Sequence, residues 1–135
     1  MALDTAVFIY FIEEHPAHLA TIAPLFTLAD AGERDLVTSG LTLLEVLVVP
    51  HRKGKAALAD RYEALLTRSR GLRLVEPDLK QLRVAAAIRA AHAVRTPDAL
   101  QLAAALTTGC TAFVTNDRRL PDLPGLEILQ LDDYR

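Results

Sequence analysis

The chain has one cysteine, Cys110, in 135 residues. A single cysteine excludes an internal disulfide and any thiolate metal cluster. Beside the apolar stretch TAFVT it reads as a small buried hydrophobe. Long apolar runs are missing as well. The run at 7–12 is far too short to cross a bilayer, so no membrane association is expected. Asp4, Glu13 and Glu14 interrupt the N-terminus, which does not read as a signal peptide, and the expected location is the cytoplasm. Excess positive charge is lacking too. The net charge is −2, whereas a simple nucleic-acid binder is expected to be basic. Positive charge is instead local, in the loop HRKGK at 51–55 and in Arg68, Arg70 and Arg73. Taken alone, such a cluster is a solvated surface. There is no Walker or GxGxxG glycine-rich loop. His15, His18, His51 and His92 show no ligand spacing, and no Ser-His-Asp or Cys-His arrangement is suggested.

What the chain does have is apolar substance. It is 51% apolar and 24% charged, the balance of a globular protein, and its length suits one domain over residues 1–135. Short β-rich runs alternate with helical ones. ALDTAV reads as a first strand with its turn, and FIYFIEE as a brief helix closed by Pro16. Residues 17–33 have helical spacing, with a kink or break expected at Pro24. RDLVTS reads as a second strand, LTLLEVLVVPH as a helix ending near Pro50, and KAALADRYEALLTRS as an amphipathic helix capped by Gly71. LRLVEP is a third strand. A helix capped by Asp78 follows, then TPDALQLAAALTTG, ended by Gly109, and two last strands, TAFVT and LEILQL. Strands alternating with helices predict an α/β fold, a parallel sheet covered on both faces. Chemistry in such sheets sits beyond the carboxyl ends of the strands.

Four acids stand in apolar settings near those ends: Asp4, Glu45, Asp98 and Asp117. Each has a local explanation. Asp4 can cap a helix. Glu45 can complete a capping box with Thr42. Asp98 can follow an N-cap at Thr96 and a first-turn Pro97, complementing the helix dipole. Asn116 and Asp117 can be turn residues. Glu45 is the hardest to explain locally, because LTLLEVLVV demands burial and no Lys or Arg stands within a helical turn. A buried carboxylate is costly unless paired or bound to metal. Carboxylates without histidine or cysteine suit a hard cation, Mg²⁺ or Mn²⁺, and phosphoryl chemistry.

The stretches LDTAVFIYF, TSGLTLLEVL, RTPDALQLAAAL and FVTNDRRL resemble, in order and spacing, the four acidic motifs of PIN domains, with the VapC-type toxins of bacterial toxin–antitoxin pairs as the closest subgroup. The resemblance spans essentially the whole chain. It implies a three-layer α/β/α sandwich with the sheet ordered 3-2-1-4-5, and an acidic site of Asp4, Glu45, Asp98 and Asp117, with Asn116 supporting and Thr5 orienting the first aspartate. It further implies a Mg²⁺- or Mn²⁺-dependent endoribonuclease, a toxin that hydrolyses RNA to a 5′-phosphate and a 3′-hydroxyl, held in check by a cognate antitoxin and forming a homodimer. Two positions depart from the pattern. Ala6 stands where Asn or Ser is common, and Gln101 where some relatives carry a second acid. Arg118, Arg119 and the basic loop are then candidates to hold the RNA backbone.

Two other readings remain. One is a PIN-like binding module without turnover. The other, a phosphatase with an aspartyl nucleophile, normally needs an acid two residues after the first, and position 6 is Ala. Finally, residues 7–12, VFIYFI, are apolar all round a helix, more than one core can face. One side, such as Val7, Ile9 and Phe11, is expected to be left for an antitoxin or a second copy.

Overall fold

The computed structural model describes residues 1–134. Five strands form one parallel sheet in the order β3-β2-β1-β4-β5, as the resemblance implies. They are β1 (Ala2–Leu3), β2 (Leu36–Ser39), β3 (Leu72–Val75), β4 (Ala112–Thr115) and β5 (Glu127–Gln130). The helices are α1 (Thr5–Ile12), α2 (Leu19–Asp30), α3 (Leu41–Arg52), α4 (Ala56–Arg68), α5 (Leu79–Ala91) and α6 (Thr96–Thr107), and a 3₁₀ turn, Leu131–Tyr134, ends the described chain.

The sheet separates two cores. Leu3 packs with Val7, Phe8, Ile22, Val46 and Leu66 from α1–α4, while Ala2 packs with Ala85, Ile88, Ala99, Leu102 and Phe113 on the α5–α6 side. Adjacent residues of β1 thus point to opposite faces, as the two-residue period of a strand requires. This is the expected α/β/α arrangement, and it explains why the central strands are apolar on both sides.

Several local expectations are corrected. The first strand is shorter than ALDTAV, and the helix after it begins at Thr5 rather than near Phe8. Asp4 ends the strand: its backbone is extended and its carboxylate accepts the Thr5 N–H at 2.8 Å, as an N-cap does. Pro24 breaks nothing, and α2 runs through it. Pro24 and Ala20, whose carbonyl loses its partner, both face solvent, where water can replace the missing bond. Helix α3 ends at Arg52, near Pro50 as expected. Gly71 does not cap α4, which ends at Arg68 with Ser69 already extended. Its φ is +77°, and a Cβ there would lie 2.3 Å from the Ala29 carbonyl oxygen, so Gly71 lets the start of β3 pass against the end of α2. Gly109 does follow the C-cap of α6, at φ +77°. Cys110 is half-buried against the second core.

Most of the segment 7–12 is turned to the core, and Ile9 keeps a side on the groove beside Glu45. Val7 and Phe8 are fully buried, and residues 9–12 are half-buried against the first core. Phe11 stacks on Phe26 with ring centroids 4.2 Å apart, and Tyr10 stacks on His18 at 4.9 Å. The helix can be apolar all round because β1, β4, α2, α3 and α4 surround it. Exposed large apolar side chains lie elsewhere, chiefly Leu44, Val48 and Val49 on α3 and Leu79 and Leu82 on α5.

Candidate active site

The carboxyl ends of β1 and β4 deliver Asp4 and the pair Asn116 and Asp117 to one edge of the sheet. Glu45, in the second turn of α3, and Asp98, in the first turn of α6, approach the same edge. The field at Asp4 shows it. Burial pushes its carboxyl pKa above the ordinary 3.8, and the neighbouring charges of Asp98 and Glu45 push the same way. Two hydrogen bonds oppose them: the Thr115 hydroxyl donates to Oδ2 at 2.7 Å, and the Thr5 N–H to Oδ1 at 2.8 Å. Arg95, largely exposed, offsets part of this with its Nε 3.8 Å from Asp98 Oδ2, but the charges of Asp98 and Glu45 still act against ionisation of Asp4.

Asp117 is different. It shares a depression with Asp4, Thr5, Ile9 and Asn116, but Arg119 has closed on it. Arg119 Nε donates to Oδ1 and Nη2 to Oδ2, each at 3.0 Å, and the Arg119 N–H also reaches Oδ1 at 2.9 Å. These bonds hold the Asp117 carboxyl below the ordinary range. Arg119 also borders the neighbouring depression that contains Arg95 and Asp98. Arg118 is engaged elsewhere, on Asp133 at 2.7 Å.

Beneath the acids lies a polar network. Thr5 Oγ1 donates to Glu45 Oε1 at 2.9 Å. Gln101 Nε2 donates to Thr42 Oγ1 at 2.8 Å and to Thr5 Oγ1 at 3.1 Å. Thr38 Oγ1 contacts Thr42 Oγ1 at 2.7 Å and donates to the Leu3 carbonyl at 2.9 Å. The local explanations are thereby sorted. Asp4 is an N-cap as well as a site residue. Glu45 and Thr42 form no capping box: Gly40 is the N-cap of α3, and both side chains belong to the network. Thr96 is not the N-cap of α6 either. Arg95 takes that position with an extended backbone, its carbonyl accepting the Ala99 N–H, so Asp98 is the third helical residue. Thr38 and Thr115 went unrecognised in the sequence, where a threonine in a strand reads as a strand former, and Thr42 was read only as a capping partner of Glu45.

Among the described residues, no three His, Cys, Asp or Glu side chains converge closely enough to form a ready-made metal cage. The donor chemistry nevertheless fits a hard cation. Mg²⁺ is commonly held by one or two carboxylates and keeps several waters. Beside the acids, the side-chain oxygens of Asn116 and Gln101 are buried without a hydrogen-bond partner. Such acceptors suit a site completed by water or by an ion.

Three solved structures share this fold. VapBC2 from Rickettsia felis, bound to a DNA fragment from their promoter, matches with a TM-score of 0.74 and 19% identity over 96% of both chains. A toxin–antitoxin complex from Klebsiella pneumoniae matches with a TM-score of 0.70 and 19% identity over 93% of both chains. DNA-bound VapBC from Salmonella typhimurium matches with a TM-score of 0.67 and 24% identity over 96% of both chains. No curated protein sequence matches. The family model for the PIN domain matches residues 1–126, which include all four acids and the network beneath them, and the chain belongs to the PIN domain family.

Proposed function

We propose that this protein is a Mg²⁺- or Mn²⁺-dependent endoribonuclease, the toxin of a toxin–antitoxin pair. The observation that carries the reading is the gathering of like charge at the sheet edge. Asp4 is partly buried beside Asp98 and Glu45, whose charges push against its own, and Arg95, itself exposed, offers Asp98 only a 3.8 Å contact. Proteins keep such groups where they bind a metal or do chemistry.

Asp4, Asp98 and Glu45 would hold the ion, with Asp117 joining when Arg119 lets go. The bound ion supplies charge for the phosphodiester and a water of lowered pKa for in-line hydrolysis. The chain's own residues do the rest. Thr115 and the Thr5 N–H fix the two oxygens of Asp4. Thr5 fixes one oxygen of Glu45. Arg119, exposed apart from its bonds to Asp117, can exchange that carboxylate for a phosphate of the RNA backbone.

For the antitoxin, the neighbouring folds solved as toxin–antitoxin complexes supply the support. Beside the acids, Ile9, Val46, Val49, Pro50 and Leu58 line an apolar groove that could seat a partner segment. Pairing with a second copy would use the exposed apolar residues of α3 or α5. Among the described residues no helix is long and apolar enough to cross a membrane.

The test is cleavage of a mixed RNA pool by purified protein with Mg²⁺ or Mn²⁺, beside Asp4→Asn and Asp98→Asn. The wild type is expected to cleave, EDTA to stop it, Mn²⁺ to restore it, and both variants to be silent while folded. A variant that cleaves at the wild-type rate would remove its residue from the site. A folded wild type that binds RNA and never cleaves it, with either metal, would leave a binding module.

A further inference from the structure

The polar network under the acids has enough contacts to fix the direction of every hydrogen bond in it. A threonine hydroxyl has one proton to give. Thr38 gives its proton to the Leu3 carbonyl, at 2.9 Å. At the 2.7 Å contact between Thr38 and Thr42 the proton is therefore Thr42's. Thr42 has then nothing left to donate, so it can only accept from Gln101, at 2.8 Å. On the other branch Thr5 gives its proton to Glu45 Oε1 at 2.9 Å, and it too can only accept from Gln101, at 3.1 Å. The Thr5–Thr42 contact of 3.3 Å has no proton left to serve it. The 3.5 Å approach of Gln101 Nε2 to Glu45 is too long to count beside the others. Both amide protons of Gln101 are thus assigned. No carboxylate and no hydroxyl could replace its NH₂ group without reversing a branch.

We infer that Gln101 is a positioning residue of the acidic site. Its double-donor amide locks Thr5 so that Thr5 must spend its proton on Glu45 Oε1, and so fixes the carboxylate of Glu45 relative to Asp4. Gln101 is 3% exposed, so solvent cannot take over this role. A second anchor runs from Gln101 through Thr42 and Thr38 to the Leu3 carbonyl, on the residue before Asp4. One amide therefore couples two carboxylates on different elements. A glutamine fits here where an acid would not. An ionised glutamate would accept at both branches, pull the proton of Thr5 away from Glu45, and add a like charge to a group that already repels.

The inference rests on the proposed metal-binding role of the site, and the experiment separates the two. Mn²⁺ affinity is measured by calorimetry on the full chain without RNA, for the wild type, Gln101→Met, Thr5→Val and the double variant, with melting temperatures taken alongside. The Met side chain keeps the length of Gln and removes both donors. Loss of an outer partner of a metal ligand costs roughly 10–100-fold in metal affinity, and Gln101→Met is expected to fall in that range. Because Gln101 reaches Glu45 chiefly through Thr5, the double variant is expected to lose less than the product of the two single losses. A residue that merely fills space would give independent, multiplying losses. Gln101→Glu serves where Gln101→Met fails to fold, and a loss of the same order is expected from it. A folded wild type that binds no Mn²⁺ would overturn the proposed function and this inference with it. A wild type that binds, with Gln101→Met or Gln101→Glu binding equally well, or with losses that multiply, would overturn this inference alone.

Discussion

Asp4 is one residue with two roles that disagree about charge. As an N-cap it favours its ionised form, through the Thr5 N–H. As a buried neighbour of Asp98 and Glu45 it resists ionisation, and burial dominates, so its pKa is raised above 3.8. The sign of the pH dependence follows. In the window above 3.8 the native state keeps a proton that the unfolded chain has released. The stability tied to this group is therefore fully present below 3.8, is lost as pH rises through the native value, and stays lost at neutral pH. Asp4→Asn, which keeps the capping oxygen and removes the charge, is expected to melt at the same temperature as the metal-free wild type or higher at pH 7. That advantage should shrink as the pH falls through the raised native pKa of Asp4 and the wild type becomes neutral there too. Thermal melts across that pH range check it, and a variant clearly less stable at pH 7 would mean that the field at Asp4 is not repulsive. Asp117 has the opposite shift because Arg119 grips both of its oxygens. Arg119→Ala is expected to release Asp117 for metal, tightening Mn²⁺ binding about threefold, the scale of one exposed ion pair. The same change should raise KM for RNA, since a phosphate contact goes with it. Calorimetry and cleavage kinetics on one preparation measure both.

At the scale of elements, the two glycines at φ +77° form a natural pair of controls. Gly109 has open space where a Cβ would be, whereas Gly71 would set one 2.3 Å from the Ala29 carbonyl oxygen. Gly109→Ala is expected to lose only the cost of the left-handed backbone, about 1 kcal/mol. Gly71→Ala adds an overlap with main chain that cannot turn aside, for a total of roughly 2–5 kcal/mol. Denaturant titration of the two variants tests the difference, and equal losses would show that α2 and β3 can part freely. Elements of this kind also show how far the sequence could be read. The alternation of strands and helices was legible because a parallel sheet needs apolar strands and long crossovers. Asp4, Asp98 and Asp117 were legible because they stand at element ends, where a parallel sheet gathers its loops. The packing of 7–12 was only partly legible: periodicity counts one core face for a helix, whereas α1 is covered by neighbours that only the tertiary fold supplies, with Ile9 left on the groove beside Glu45. Gly71 was misread because the backbone it must pass, Ala29, is far away in sequence. Of the threonines under the acids, Thr38 and Thr115 carried no signal, since their roles depend on hydrogen bonds to residues distant in sequence. The packing of α1 has a test. Phe11→Asp should cost about 2 kcal/mol or more, because it unstacks Phe26 and buries a charge. Leu44→Asp, at a side chain 60% exposed, should leave the melting temperature nearly unchanged and act, if at all, on association.

The molecule as a whole concentrates its negative charge where the sheet ends. The net charge of −2 would normally repel RNA, and Asp4, Glu45 and Asp98 share one edge of the sheet while Arg95, paired with Asp98, and Arg119 stand at their border. A divalent cation at the acids changes both balances. It removes the repulsion that burdens the native state, and it turns the local field from one that rejects a phosphate into one that accepts it. Binding and folding are then linked, since the acids converge only in the native chain. Stability is expected to rise with Mn²⁺ by about 2.7 kcal/mol at a hundred times its Kd. The same addition to Asp4→Asn should raise it far less. Because the variant begins level with or above the metal-free wild type, the two melting curves should exchange order as Mn²⁺ is added. Melting temperatures against Mn²⁺ concentration, with Ca²⁺-free buffer and EDTA as the zero point, give the test. Two parallel curves would place the ion away from Asp4, and a flat wild-type curve would mean that these carboxylates carry their repulsion for something other than a metal.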